Sequence, residues 1–165
     1  MKEIKHSISL YVANKPGVLI RISLVFARRG YNIDSLVVSE SNDKKFSRMN
    51  ITATGNPETL NLMLNQLNRV VDVVHAKEHS GDDALQREMA LVKVRCNSKQ
   101  RIDILQIADV FKARNMDITD TCLTFQVTGT SSKLDAFQKL LKPFGIIELI
   151  RSGKLIMARG METTT

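Results

Sequence analysis

Apolar residues in the first part of the chain change period in a regular order. From Lys5 to Ala13 they alternate, with Ile8, Leu10 and Val12 on one side, which predicts a half-buried strand. Pro16 then opens a helix, where its missing N–H costs little, and Val18, Ile22, Val25 and Phe26 line one face of it. Gly30 suits a left-handed cap that ends this helix. A strand over Ile33–Val38, a polar turn over Ser39–Phe46 and a returning strand over Ser47–Thr54 follow. Gly55-Asn56-Pro57 breaks the chain before a helix with Leu60, Met63, Leu64 and Leu67 on its apolar face, and Val70–Lys77 reads as a closing strand.

The same order then repeats. Met89–Cys96 reads as a strand, Arg101–Ala113 as a helix, Asp117–Thr121 and Leu123–Thr128 as strands, Ser132–Leu141 as a helix and Ile146–Ile150 as a strand. Phe26-Ala27-Arg28-Arg29-Gly30-Tyr31-Asn32-Ile33 aligns with Phe111-Lys112-Ala113-Arg114-Asn115-Met116-Asp117-Ile118. The chain is therefore expected to be α+β: tandem ferredoxin-like βαββαβ units, each an antiparallel sheet with two helices on one face. The expected division is a first domain over residues 1–78, a polar linker over 79–87 and a second domain over 88–165 with a frayed tail. A unit of about 75 residues buries modest area, and its apolar second strand is suited to pairing with another copy. A homodimer is the expected form.

Composition narrows the function classes. The 165 residues are 43% hydrophobic and 25% charged, with a net charge of +7. No apolar run approaches the roughly 20 residues that span a bilayer, and the N-terminus has no signal-peptide core, so a cytoplasmic protein with no membrane contact is expected. The positive residues are scattered, with neither a groove-reading helix nor a stacking pair of aromatics, so an acidic protein partner fits better than nucleic acid. Cys96 and Cys122 lie apart and read as buried free thiols; His75 and His79 read as solvent-exposed, and no metal site is expected. Neither a phosphate loop nor a catalytic triad motif is present, and no catalytic residue is assigned.

One turn differs between the two copies. Asn14-Lys15-Pro16-Gly17 joins the first strand to the first helix. Gly17 allows close backbone approach, and the N–H groups of Val18 and Leu19 open the helix toward an anion such as a carboxylate. The amide of Asn14 both donates and accepts, as a zwitterion requires. The second copy has Asn97-Ser98-Lys99-Gln100-Arg101 here, with Ile102 where Gly17 aligns. Asn-Lys-Pro-Gly is also an ordinary turn before a helix, and Asn32 after Gly30 an ordinary cap neighbour, so both readings stand on the residues alone.

Asn-Lys-Pro-Gly-Val-Leu at 14–19, followed by Phe-Ala-Arg-Arg-Gly-Tyr-Asn-Ile-Asp-Ser-Leu at 26–36, resembles the ACT domain of the acetolactate (acetohydroxyacid) synthase small subunits. Ser47-Arg48-Met49, Arg87 to Val94, Lys133 to Phe137 and Ile150-Arg151-Ser152-Gly153 fit the same family, in order. The resemblance implies a regulatory subunit without catalysis or cofactors of its own. Its implied partner is a large catalytic subunit that uses thiamine diphosphate, Mg²⁺ and FAD, and its implied effector is valine, the end product in branched-chain amino-acid biosynthesis. It further implies that valine sits between two ACT domains, held by Asn14, Gly17, Val18 and Leu19 of one subunit and closed by Asn32 of the other, with Ile33 near its side chain. A stand-alone amino-acid sensor or a transcriptional regulator on the same sheet is the alternative.

Overall fold

The computed structural model describes residues 4–165. They form two compact units: one takes the chain up to Gln86 together with Gly153–Thr165, and the other is Arg87–Ser152.

In the first unit, β1 (Ile4–Ala13), α1 (Val18–Arg28), β2 (Asn32–Glu40), β3 (Phe46–Gly55), α2 (Leu60–Leu67) and β4 (Val73–His79) follow the expected order. The strands form one antiparallel sheet in the order β2-β3-β1-β4, so β2 is an edge. The alternation in β1 sends Ile8, Leu10 and Val12 to the helix side, where they meet Val18, Ile22 and Phe26 of α1 and Met63 and Leu67 of α2 in the core. Gly30, at φ 69°, ends α1 as expected, and the Tyr31 N–H turns back to the Phe26 carbonyl at 3.0 Å. A short 3₁₀ turn over Pro57–Thr59 leads into α2, its Glu58 N–H donating to Asn56 Oδ1 at 2.9 Å.

The second unit repeats the plan with β5 (Ala84–Arg95, of which residues 84–86 belong to the first unit), α3 (Arg101–Val110), β6 (Arg114–Ile118), β7 (Cys122–Gly129), α4 (Ser131–Leu141) and β8 (Ile146–Arg151), ordered β6-β7-β5-β8. Val92, Val94, Phe125 and Phe137 fill its core. Arg151 at the end of β8 joins Glu88 of β5 and Asp135 of α4. The hydrogen bond with Glu88 chiefly holds the guanidinium above its ordinary pKa, with burial opposing it.

Five expectations are corrected. The strand expected at Asp117–Thr121 lies at Arg114–Ile118, because α3 ends early: Lys112 takes the left-handed conformation, φ 55°, and the Ala113 N–H returns to Ala108. The structural counterpart of Gly30 is thus Lys112, and the aligned octapeptides are three residues out of phase. The expected linker over 79–87 shrinks to a turn over 80–83, since β4 runs to His79 and β5 begins at Ala84. Cys96 is buried as expected, but Cys122 is only half-buried, with its sulfur 3.1 Å from Thr119 Oγ1.

The expected frayed tail is the fourth, and its course also overturns the exposure expected of His79. Gly153–Thr165 packs in the first unit, and its strand β9 (Leu155–Ala158) pairs with β5. Lys154 Nζ reaches Ser7 Oγ at 3.4 Å and Gln86 Oε1 at 3.2 Å, and Arg48 donates to Thr165 Oγ1 at 3.0 Å. The ring of His79 meets the Thr164 carbonyl at 3.2 Å and is buried, whereas His75 is exposed. The physical reason lies in β1 and β3: Ser7, Ser9 and Thr52 on the sheet face away from the helices are small and buried, leaving room for a covering segment.

A candidate effector site at the first helix start

The turn between β1 and α1 is fastened on two sides. The Ala13 N–H donates to the Asp72 carbonyl at 2.7 Å, and the Asn14 N–H donates to the Lys45 carbonyl at 2.8 Å. The Asn14 side-chain amide also donates to the Lys44 carbonyl at 3.0 Å, which occupies its nitrogen and leaves its oxygen as an acceptor. Gly17 holds φ 83°, a left-handed conformation that residues with a Cβ rarely adopt.

That conformation sets the start of α1. Its first turn has no acidic residue and no side-chain cap, and its first helical bond is from the Arg21 N–H to the Gly17 carbonyl at 3.2 Å. The N–H groups of Val18, Leu19 and Ile20 precede that bond and point out of the helix end. Asp72 is buried and takes Arg21 at 2.5 Å and Lys15 at 3.6 Å. One carboxylate against two cations, at the positive end of a helix, leaves the turn electropositive. The arrangement can hold a small carboxylate by backbone N–H groups.

The expected site residues divide into two groups. Asn14, Gly17, Val18 and Leu19 come together, but the Val18 side chain is buried in the core, so only its N–H can take part; Leu19 is 42% exposed beside the turn. Asn32 and Ile33 do not join them within one chain. Asn32 pairs with Thr54 and Thr54 with Lys5, while Ala13 pairs with Phe46. The steps from Lys5 to Ala13 separate the two groups by about 27 Å along the sheet. Asn32 is exposed at the β2 edge, with its amide donating to Asp34 at 2.6 Å; Ile33 is half-buried against the core. Sequence reasoning assigned no role to Arg21, Lys15 or Asp72. Arg21 lies one helical turn after Gly17, a usable signal, but nothing local marks Asp72.

The second unit starts its helix differently. Asn97 Oδ1 accepts the N–H groups of Lys99 at 3.0 Å and Gln100 at 2.9 Å, in the turn just before α3, and the Asn97 carbonyl accepts the Arg101 N–H at 3.1 Å. The α3 start has no side-chain cap either, but Gln100 stands there in place of a left-handed glycine and Asp103 lies in the first turn.

The chain was compared with known proteins. Residues 8–75 match the family model described as AHAS small subunit-like ACT domain, and residues 87–160 match that described as small subunit of acetolactate synthase. The acetolactate synthase small subunit of Mycolicibacterium smegmatis is 39% identical over 94% of this chain and 91% of its own length. The probable acetolactate synthase small subunit of Methanothermobacter thermautotrophicus is 41% identical over 96% of this chain and 95% of its own. Among solved structures, the acetolactate synthase small subunit of Thermotoga maritima superposes with a TM-score of 0.84 at 33% identity, covering 95% of this chain and 98% of that one. With both halves matched in order and full-length relatives at this identity, the chain belongs to the acetolactate synthase small-subunit family, an ACT domain followed by the family's C-terminal domain.

Proposed function

We propose that this chain is the regulatory subunit of an acetolactate synthase. In this reading it binds a large catalytic subunit in the cytoplasm, raises its activity and makes it subject to feedback inhibition by valine. Family membership supports the regulatory role. Thiamine diphosphate, Mg²⁺ and FAD then belong to the catalytic partner.

One observation carries the effector reading. The α1 start has a left-handed Gly17 and no acidic residue in its first turn, whereas the α3 start has Gln100 in that place and carries Asp103 in its first turn. A valine carboxylate would take the N–H groups of Val18 and Leu19, and its ammonium the Asn14 oxygen. Its isopropyl group would lie by Leu19. Asn32 and Ile33 would come from a second copy. Antiparallel pairing of two β2 edges favours this, because it brings the Asn32 end of one strand to the Glu40 end of the other. Glu40 Oε1 is within 3.5 Å of the Asn14 amide, so that end adjoins the turn.

The regulation is a linkage: valine that fits one arrangement of the dimer biases the partner by an equal coupling free energy, typically about 1–3 kcal/mol. Gly17→Asp puts a carboxylate where the ligand's would sit and adds a Cβ to a left-handed residue. The variant is expected to keep activating the catalytic subunit but to lose valine binding in calorimetry. A folded Gly17→Asp protein with wild-type valine affinity would refute the site.

A further inference from the structure

From Asn14 to Ile33 and from Leu60 to Val71 the sequence has no aspartate or glutamate, yet Lys15, Arg21, Arg28, Arg29 and Arg69 fall within these stretches. They form the helix layer of the first unit, α1 and α2 with their ends. Asp72 matches Lys15 and Arg21. Among the described residues, Arg28, Arg29 and Arg69 form no ion pair. With Val25, Gln66 and Val70 they line a groove of about 470 Å³, in which Arg29 Nε donates to Gln66 Oε1 at 3.1 Å.

Helix C-termini account for part of this charge. The ends of α1 and α2 each carry roughly half a negative charge, which offsets about one of the three guanidinium charges. A net positive groove remains. Its border is apolar: helical spacing sets Leu24 one turn before Arg28 and Leu62 one turn before Gln66, and these leucines are 45% and 52% exposed.

We infer that this arginine groove, with Leu24 and Leu62 at its border, is the surface that docks an acidic face of the large catalytic subunit. The inference rests on the regulatory-subunit reading. Charge selects the occupant. A second copy would bring the same guanidinium groups on a chain of net charge +7, so this face repels itself. The chain's own C-terminal segment is bonded to Ser7 and Arg48 of the sheet. Guanidinium groups pair with carboxylates in a two-pronged geometry, and exposed leucines beside them supply an apolar centre with a polar rim.

The test uses the full-length chain with Arg28→Glu and Arg69→Glu together, and with the milder pair Arg28→Gln and Arg69→Gln. Association with the catalytic subunit is measured by biosensor at low and high salt, and valine binding to the small subunit alone by calorimetry. The glutamate pair is expected to weaken association by about 10–100-fold and flatten its salt dependence, the glutamine pair less so. Valine affinity and melting temperature should stay at wild type. Undiminished association of the glutamine and glutamate pairs overturns the docking site alone. So does a loss confined to duplex DNA binding, which would make the groove a nucleic-acid surface. A wild-type chain that fails to associate overturns the regulatory reading together with the docking site.

Discussion

Lys112 holds a left-handed backbone, φ 55°, that glycine takes without steric cost. Its ion pair with Asp109 is exposed at 3.9 Å and contributes little. Lys112→Gly is therefore expected to stabilise the protein, by about 1 kcal/mol, read as a higher melting temperature. Gly17 and Lys112 show why some residues were legible and others not. Gly17 was readable because its demand is local: a turn, a proline before it and a helix after it. Lys112 was hidden because lysine carries no mark of left-handed geometry, and the pattern Phe111 to Ile118 imitated Phe26 to Ile33 closely enough to suggest the wrong phase. Asp72 was hidden for another reason. It meets Arg21 and Lys15 only after β4 returns beside β1, and no local pattern encodes that meeting.

At the scale of elements, the order strand, helix, strand, strand, helix, strand was readable twice, since burial on one face imposes periods of 2 and 3.6 on the apolar positions. The distance between the two halves of the candidate site needed the sheet register. Asn32 and Gly17 lie at opposite ends of the first unit, so a ligand that needs both must bridge two copies. That makes a complementation experiment decisive. Gly17→Asp and Asn32→Ala homodimers should each lose valine binding. An equimolar mixture, allowed to exchange subunits, should recover it in the heterodimers, whose one intact site pairs the wild-type turn of one copy with the wild-type Asn32 of the other. Calorimetry on the mixture reads the outcome. No recovery despite exchange would show that the turn of one copy and Asn32 of the other do not form a shared site.

For the molecule as a whole, the segment Gly153–Thr165 matters more than its composition suggested. Ile156 and Ala158 are 7% and 9% exposed, and Lys154 reaches Ser7 on the sheet. A chain ending at Ser152 is expected to lose about 2–4 kcal/mol, mostly from the burial of Ile156 and of the sheet face it helps to cover. Hydrogen exchange should quicken in β1 and β3 while the core of the second unit keeps its protection. Equal protection in both units would show that the segment adds nothing to stability. Fold class, the doubled βαββαβ plan, the core positions and the open turn at Gly17 were all legible in the amino-acid order, because periodicity, turn chemistry and helix starts act between neighbours along the chain. The return of the C-terminal segment to the first unit, the burial of His79, the pairing of Asp72 with two cations and the gathering of Arg28, Arg29 and Arg69 into one groove were not. Each depends on residues far apart in sequence meeting only once the sheets have formed, and long-range contacts leave no period in the sequence to read.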